Sequence, residues 1–206
     1  SKDWSLANSN YKSLSGTLAF DIAKFASVAS ESVTTDVDYD STTQSSGTVT
    51  ITGVGGLVLS SATASGKNAG QYTSAASVID NPNYTDASVV ATLNIAKVTP
   101  SVAYSGYAGG TYDGVSHTRT VTVTGVGSDG TIFTDSKSGT NAGSYSKVWS
   151  FGDGNYNTVS GTLAFDIAKL HVTGSFTAAG KIYDGTTAAA VLTRSPGAII
   201  SGDAVT

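Results

Sequence analysis

The chain contains no cysteine. That single absence excludes disulfide staples, thiolate nucleophiles and cysteine-ligated zinc. Charge is scarce as well, with 13% Asp, Glu, Lys and Arg, a formal net charge of −4 and an isoelectric point near 4.9. The 11 Lys and Arg residues are scattered, so no basic patch is offered to a phosphate backbone and nucleic acid is not an expected partner. No apolar run approaches the roughly 18 residues of a membrane-spanning helix. No basic-then-apolar leader opens the chain, and Ser1 falls inside a repeat, so it is not expected to be a natural start.

What is present is a tandem repeat. Residues 161–169 read GTLAFDIAK and reproduce residues 16–24, with a weaker copy, VVATLNIAK, at residues 89–97. Lys24, Lys97 and Lys169 stand 73 and then 72 residues apart. The rest of the unit keeps this register. Tyr11, Tyr84 and Tyr156 each follow an Asn, and Ser1-Lys2-Asp3-Trp4-Ser5 matches Ser146-Lys147-Val148-Trp149-Ser150. Asn68-Ala69-Gly70-Gln71-Tyr72 matches Asn141-Ala142-Gly143-Ser144-Tyr145. Tyr39-Asp40-Ser41, Tyr112-Asp113-Gly114 and Tyr183-Asp184-Gly185 form a third recurring motif. A fixed period of this size means an array of similar modules. The expected divisions are residues 1–24, the closing part of a repeat; 25–97 and 98–169, two complete repeats; and 170–206, the opening of another.

Within each unit the pattern is that of short strands. Leu18, Phe20 and Ile22 alternate with Ala19, Asp21 and Ala23, which places three apolar side chains on one face of a strand buried on one side. Strands separated by Gly, Asn and Ser turns every ten or so residues predict an all-β fold of antiparallel sandwiches. The connection Ala96-Lys97-Val98-Thr99-Pro100 lacks the Gly/Ser run of a flexible tether, so a stiff, elongated array is expected. Neighbouring repeats are the first expected partners of each module.

Few residues carry candidate chemistry. Asp36, Asp38 and Asp40 alternate along one strand face and would present three carboxylates to calcium, a hard cation. The counterparts Gly109 and Thr111 carry no charge, and the competing reading is an exposed acidic face. The Tyr-Asp-Gly triplets read as structure: a packed ring, an aspartate bonding turn amides and a glycine at positive φ. This covers Tyr39, Asp40, Tyr112, Asp113, Gly114, Tyr183, Asp184 and Gly185. Trp4 and Trp149, with Tyr11 and Tyr156, would form either a sugar platform or core and junction packing. A Thr-bearing face at Thr48, Thr50 and Thr52 would suit a glycan, a receptor or ice. His117 and His171 occupy different places in their units and have no recurring nucleophile beside them. Asn83-Tyr84-Thr85 fits a glycosylation sequon. The glycine-rich segment at residues 124–130 lacks the lysine and following helix of a phosphate loop. No catalytic residue is expected.

These segments resemble the glycine-rich, mostly-β (MBG-type) repeats of large bacterial surface and secreted proteins over residues 98–169. Residues 170–206 resemble the opening of the related YDG repeats. Residues 25–97 depart most, since Ser41 replaces the motif glycine and Ser77 is expected at the position of Trp149. The resemblance implies immunoglobulin-like sandwiches, no cofactor, and an extracellular adhesin-like or filamentous protein at a bacterial surface or secreted from the cell. The expected function is a structural stalk that spaces a binding region. The alternatives are a homo-polymer, in which the strand bearing Leu18, Phe20 and Ile22 is donated to another copy, and a binding module.

Overall fold

The computed structural model describes residues 1–204, which fall into two compact units, one ending at Lys97 and the other beginning at Val98. Among the described residues every element is a strand apart from one 3-10 turn at Val54–Gly56. The first unit begins with β1 (Lys2–Asn8) and β2 (Tyr11–Leu18), an antiparallel hairpin whose strands pair only with each other among the described residues. There follow β3 (Val28–Ala29), β4 (Val33–Asp38), β5 (Gln44–Ser45), β6 (Val49–Thr52), β7 (Val58–Ala62), β8 (Ser65–Gly66), β9 (Gly70–Val78) and β10 (Ala87–Ala96). They form the sheets β3-β6-β7 and β4-β10-β9 and the small pair β5-β8.

The second unit repeats this plan. It contains β11 (Ser101–Gly106), β12 (Gly110–Thr111), β13 (His117–Thr124), β14 (Thr131–Gly139), β15 (Gly143–Phe151) and β16 (Val159–Ala168), then the hairpin strands β17 (Gly174–Ala178) and β18 (Val191–Pro196). Its sheets are β11-β13-β14, β12-β16-β15 and β17-β18.

Period-two alternation builds the cores. Along β16, Leu163, Phe165 and Ile167 are buried while Ala164, Asp166 and Ala168 are exposed, as alternation across a pleat requires. Val121 and Val123 of β13 meet Trp149 of β15 and Leu163 of β16 in one cluster, bordered by Ile132, Phe133, Phe151 and Val159. Two sheets of one repeat therefore share a core. In the first unit the corresponding buried residues are Val49 and Ile51 of β6 and Val89, Ala91, Leu93 and Ile95 of β10. Each buried Val, Leu, Ile or Phe side chain among them contributes about 1.5–3 kcal/mol of apolar burial, and the single methyl of Ala91 less.

The sheets are not wholly antiparallel. The opening segment of each repeat pairs first in one sheet, β3 with β6 or β11 with β13, and then crosses to the other. There it runs parallel to the closing strand, β4 along β10 and β12 along β16. The crossing between β11 and β12 is bounded by Gly106 (φ 84°) and Gly109 (φ 133°). A Cβ at Gly106 would strike the carbonyl oxygen of Thr118, so that bend admits only glycine. The strand switch explains the parallel pairing: a segment that keeps its direction while changing sheets meets the last strand head to head.

The hairpin β1–β2 corrects one expectation. β2 ends at Leu18, and Phe20 and Ile22 lie beyond it in irregular backbone, all three exposed. In β10 the corresponding residues Ala91, Leu93 and Ile95 are held between an antiparallel and a parallel neighbour; in β16 Leu163 and Phe165 are laddered to β15, and Ile167 to both β15 and β12. β2 has neither neighbour there, because β1 reaches only to Lys2 opposite Leu18. Without flanking strands the backbone hydrogen bonds of residues 19–24 have no ladder to join.

Register corrects a second. Trp149 lies opposite Gly161, and Trp4 lies opposite Gly16. Counting from Tyr145, opposite Phe165, and Tyr72, opposite Leu93, the same place in the first complete repeat is Ala76, opposite Val89; it is not Ser77. The discrepancy comes from the connection between β9 and β10, which is one residue longer than that between β15 and β16. The two pairs exchange volume across the ladder. A Cβ on Gly161 would stand 3.1 Å from the Trp149 indole and would meet the Tyr104 hydroxyl, whereas Ala76 leaves room for the Val89 side chain. Trp149→Ala is expected to cost about 3–5 kcal/mol, and Gly161→Val about 1–3 kcal/mol by overpacking. The double variant, which copies the Ala76 and Val89 pair, should cost clearly less than the sum in a urea-unfolding cycle. Strictly additive losses would show that the pair is not coupled.

Candidate functional site

The residues that recur most faithfully sit in the turns that follow the first strands. Tyr39 N–H donates to the Ala96 carbonyl at 2.9 Å, and Tyr112 N–H donates to the Ala168 carbonyl at 2.9 Å. The tyrosine is thus tied by its backbone to the end of the closing strand. The next residue bends the chain. Asp40 Oδ1 accepts from the Thr42 amide and hydroxyl, each at 2.8 Å. Asp113 Oδ1 accepts from Val115 N–H and faces His117 Nε2, both at 2.9 Å. Asp184 Oδ1 accepts from Thr186 N–H at 3.0 Å and Lys181 Nζ at 2.8 Å.

The third residue has positive φ in all three copies: 69° at Ser41, 78° at Gly114 and 78° at Gly185. Ser41 shows that the turn tolerates a side chain there, at the cost of left-handed backbone. Donated hydrogen bonds hold each carboxyl below the ordinary aspartate range. The principal donor is the Thr42 amide for Asp40, the Val115 amide for Asp113 and the Lys181 ammonium for Asp184. The tyrosines differ in surroundings: Tyr39 is buried, Tyr112 half-buried and Tyr183 90% exposed.

The three aspartates considered for calcium do not converge. Asp36 and Asp38 are exposed on β4, and Asp36 Oδ1 accepts from Asn94 Nδ2 at 2.7 Å. Asn94 Oδ1 in turn accepts from Gln71 Nε2 at 2.9 Å, which makes a polar row across β4, β10 and β9. Asp40 lies past the strand and is occupied with its own turn. Among the described residues no group of three or more His, Asp or Glu side chains is placed to hold a metal ion.

A second set of turns precedes Tyr11, Tyr84 and Tyr156. Asn8, Asn81 and Asp153 each accept, through Oδ1, from the amide two residues on. Asn83 belongs to the middle turn, its amide bonded to Asn81. Tyr156 is 2% exposed; its hydroxyl donates to Asp129 Oδ2 at 2.6 Å and accepts from Val126 N–H at 2.9 Å. Asp129 was not singled out from sequence; its only signal is its place in the glycine-rich turn. A third set involves Tyr72 and Tyr145, whose hydroxyls donate back to the carbonyls of Asn68 and Asn141 at 2.9 and 2.8 Å. A Cβ on Gly66 or Gly139 would collide with those rings.

The aromatic residues do not make one platform. Trp149 is 3% exposed, whereas Trp4 is 49% exposed and Tyr11 is open to solvent. His117 is stacked on Tyr107 with ring centroids 3.9 Å apart, and it braces the Asp113 turn. His171 lies in the segment between β16 and β17. On the Thr face, Thr48 Oγ1 shares a hydrogen bond with Thr63 Oγ1 at 2.7 Å, and Thr52 Oγ1 donates to the Val28 carbonyl at 3.3 Å. No helix of the described residues is long and apolar enough to cross a membrane.

Burial first, and then the Asp129 hydrogen bond, hold the Tyr156 phenol above its ordinary value of 10.0. A raised folded pKa means stability that is complete below about pH 10 and declines as pH rises through the folded value. Tyr156→Phe is therefore expected to cost about 1–2 kcal/mol at neutral pH. It should also flatten the loss of stability as pH rises above about 10, both read by urea unfolding. An unchanged alkaline slope would assign that loss to another group. No family model matches the chain, and no curated protein or solved structure matches it.

Proposed function

We propose that the chain is a spacer: immunoglobulin-like β-sandwich repeats joined in an elongated array, forming part of a stalk or fibre in an adhesin-like protein at a bacterial surface or secreted from the cell. The observation that carries this reading is where the recurring polar residues are used. The aspartates, the asparagines and several tyrosine hydroxyls of the repeated motifs bond to turns of the chain itself. A module whose repeated chemistry holds turns is suited to repetition and spacing.

Two features support the immunoglobulin-like form. Each complete repeat has an opening strand that contributes to both sheets. Tyr72 and Tyr145 each bond back to a carbonyl four residues upstream, as the corner tyrosine of such sandwiches does. The MBG-type and YDG resemblance supplies the bacterial surface setting.

Small-angle scattering of the chain in solution tests the spacer. A skewed pair-distance function with a long tail, characteristic of a rod, is expected; a symmetric, globular function would overturn it.

A second reading, self-assembly, rests on the open apolar side of the first hairpin. Trp4, Leu6, Leu14 and Leu18 are all exposed there, although their sequence counterparts at residues 149–163 include the core residues Trp149 and Leu163. Covering such a face with the complementary layer of another copy would bury it. Sedimentation should then show concentration-dependent oligomers that disappear on deletion of residues 1–24. Monomers at all concentrations would remove this reading.

A further inference from the structure

The repeat at residues 98–169 carries a contact that its own fold does not require. Tyr112 is the tyrosine of the Tyr-Asp-Gly turn, and its hydroxyl donates to Asp203 Oδ1 at 3.0 Å, 91 residues along the chain. Two residues on, a Cβ at Gly114 would stand 2.6 Å from Ile200 Cγ2. Ile200 and Asp203 belong to one tight turn, closed by Asp203 N–H donating to the Ile200 carbonyl at 3.1 Å. Leu170, Val172 and Ile199 line the small apolar space beside it, together with Tyr112. A polar anchor, a close backbone approach and an apolar surround thus meet in one place.

The geometry of this turn has a parallel inside the repeat. The turn after β13 is closed in the same way, Asp129 N–H to the Val126 carbonyl at 3.1 Å, and its Asp129 carboxylate accepts from Tyr156 of the same repeat. In the turn after β18 the aspartate in the same place accepts from a tyrosine of the preceding repeat. One turn chemistry therefore serves within a module in one case and between modules in the other. Gly114 is required twice over, by φ 78° and by the approach of Ile200. Its counterpart Gly185 has the same φ and nothing within 4 Å.

We propose that the Tyr112 to Gly114 turn is a docking site for the Asp-bearing turn of the segment that follows, and that this contact sets the angle between consecutive modules. The site takes an aspartate-tipped β-turn with an apolar residue three positions before the aspartate. It deepens the spacer reading by naming what stiffens one junction, but the contact itself does not depend on that reading. A phenol hydrogen bond to a carboxylate on an exposed surface is modest alone. Combined with the apolar contact of Ile200, it selects one orientation.

The chain has no cysteine of its own, so spin labels can be placed at will. Labels at Ser150→Cys and Ser195→Cys in the full chain report the distance between β15 and β18 by pulsed electron spin resonance. A single narrow distribution is expected for the parent. Tyr112→Phe and Asp203→Ala should each broaden it, and the double variant should be no broader than either. A broad parent distribution, or variants that reproduce the parent, would overturn the proposal. Asp203→Ala is the variant least able to disturb the repeat, because Asp203 is exposed and outside its core. Unchanged Trp149 fluorescence establishes that the repeat remains folded. A rod in solution with a broad label distribution would sink the docking site and leave the spacer. A globule with a narrow distribution would do the reverse.

Discussion

The closing strand of each repeat can bury one face only where a second sheet lies across from it, and the rest of the structure depends on that pairing. The nine residues GTLAFDIAK occur twice. At residues 161–169 they carry Leu163, Phe165 and Ile167 into a core, with Val121 and Val123 among the residues buried there. At residues 16–24 the same apolar residues are exposed and the strand stops after its third residue. Propensity is identical in the two places, so the difference is tertiary. Beyond Leu18 the segment has no neighbouring strand and no facing layer, so it gains neither the ladder nor the apolar burial that offset the entropy of ordering it.

Within the shared core, volume is conserved across the ladder instead of position by position. Trp149 needs Gly161 opposite it, and Ala76 accommodates Val89. Dense packing explains this: a large side chain is tolerated only where its partner gives up space. The two repeats therefore keep one backbone plan with different side chains at its centre. Their turns, by contrast, keep the same chemistry. Asp40, Asp113 and Asp184 make equivalent bonds to the amide two residues ahead, because a buried hydrophobic pair has many solutions and a tight turn has few.

The strand switch links these two levels. By pairing β11 with β13 and then β12 with β16, one segment holds both sheets together and places the Tyr112 turn at the end of the closing strand. That position is also where the next segment begins. The turn thus lies beside the path the chain takes into the following module, and Asp203 and Ile200 find it there.

Much of this was legible in residue order alone. The period, the inward face of Leu163, Phe165 and Ile167, and the turn chemistry of the Tyr-Asp-Gly motif all depend on neighbours within a few positions, which residue spacing encodes directly. The parallel strand was not legible, because alternation marks the faces of a strand without naming its partner. Nor was the alignment of Ala76 with Trp149, since one added residue in a connection shifts a linear count but not a ladder register. Asp129 and Asp203 look alike in sequence, yet one bonds within its repeat and the other to the repeat before it. Spacing along the chain determined the modules, their strands and their turns. Only the folded arrangement decided which faces are covered and which turns meet, because burial and long-range hydrogen bonds depend on what lies across space.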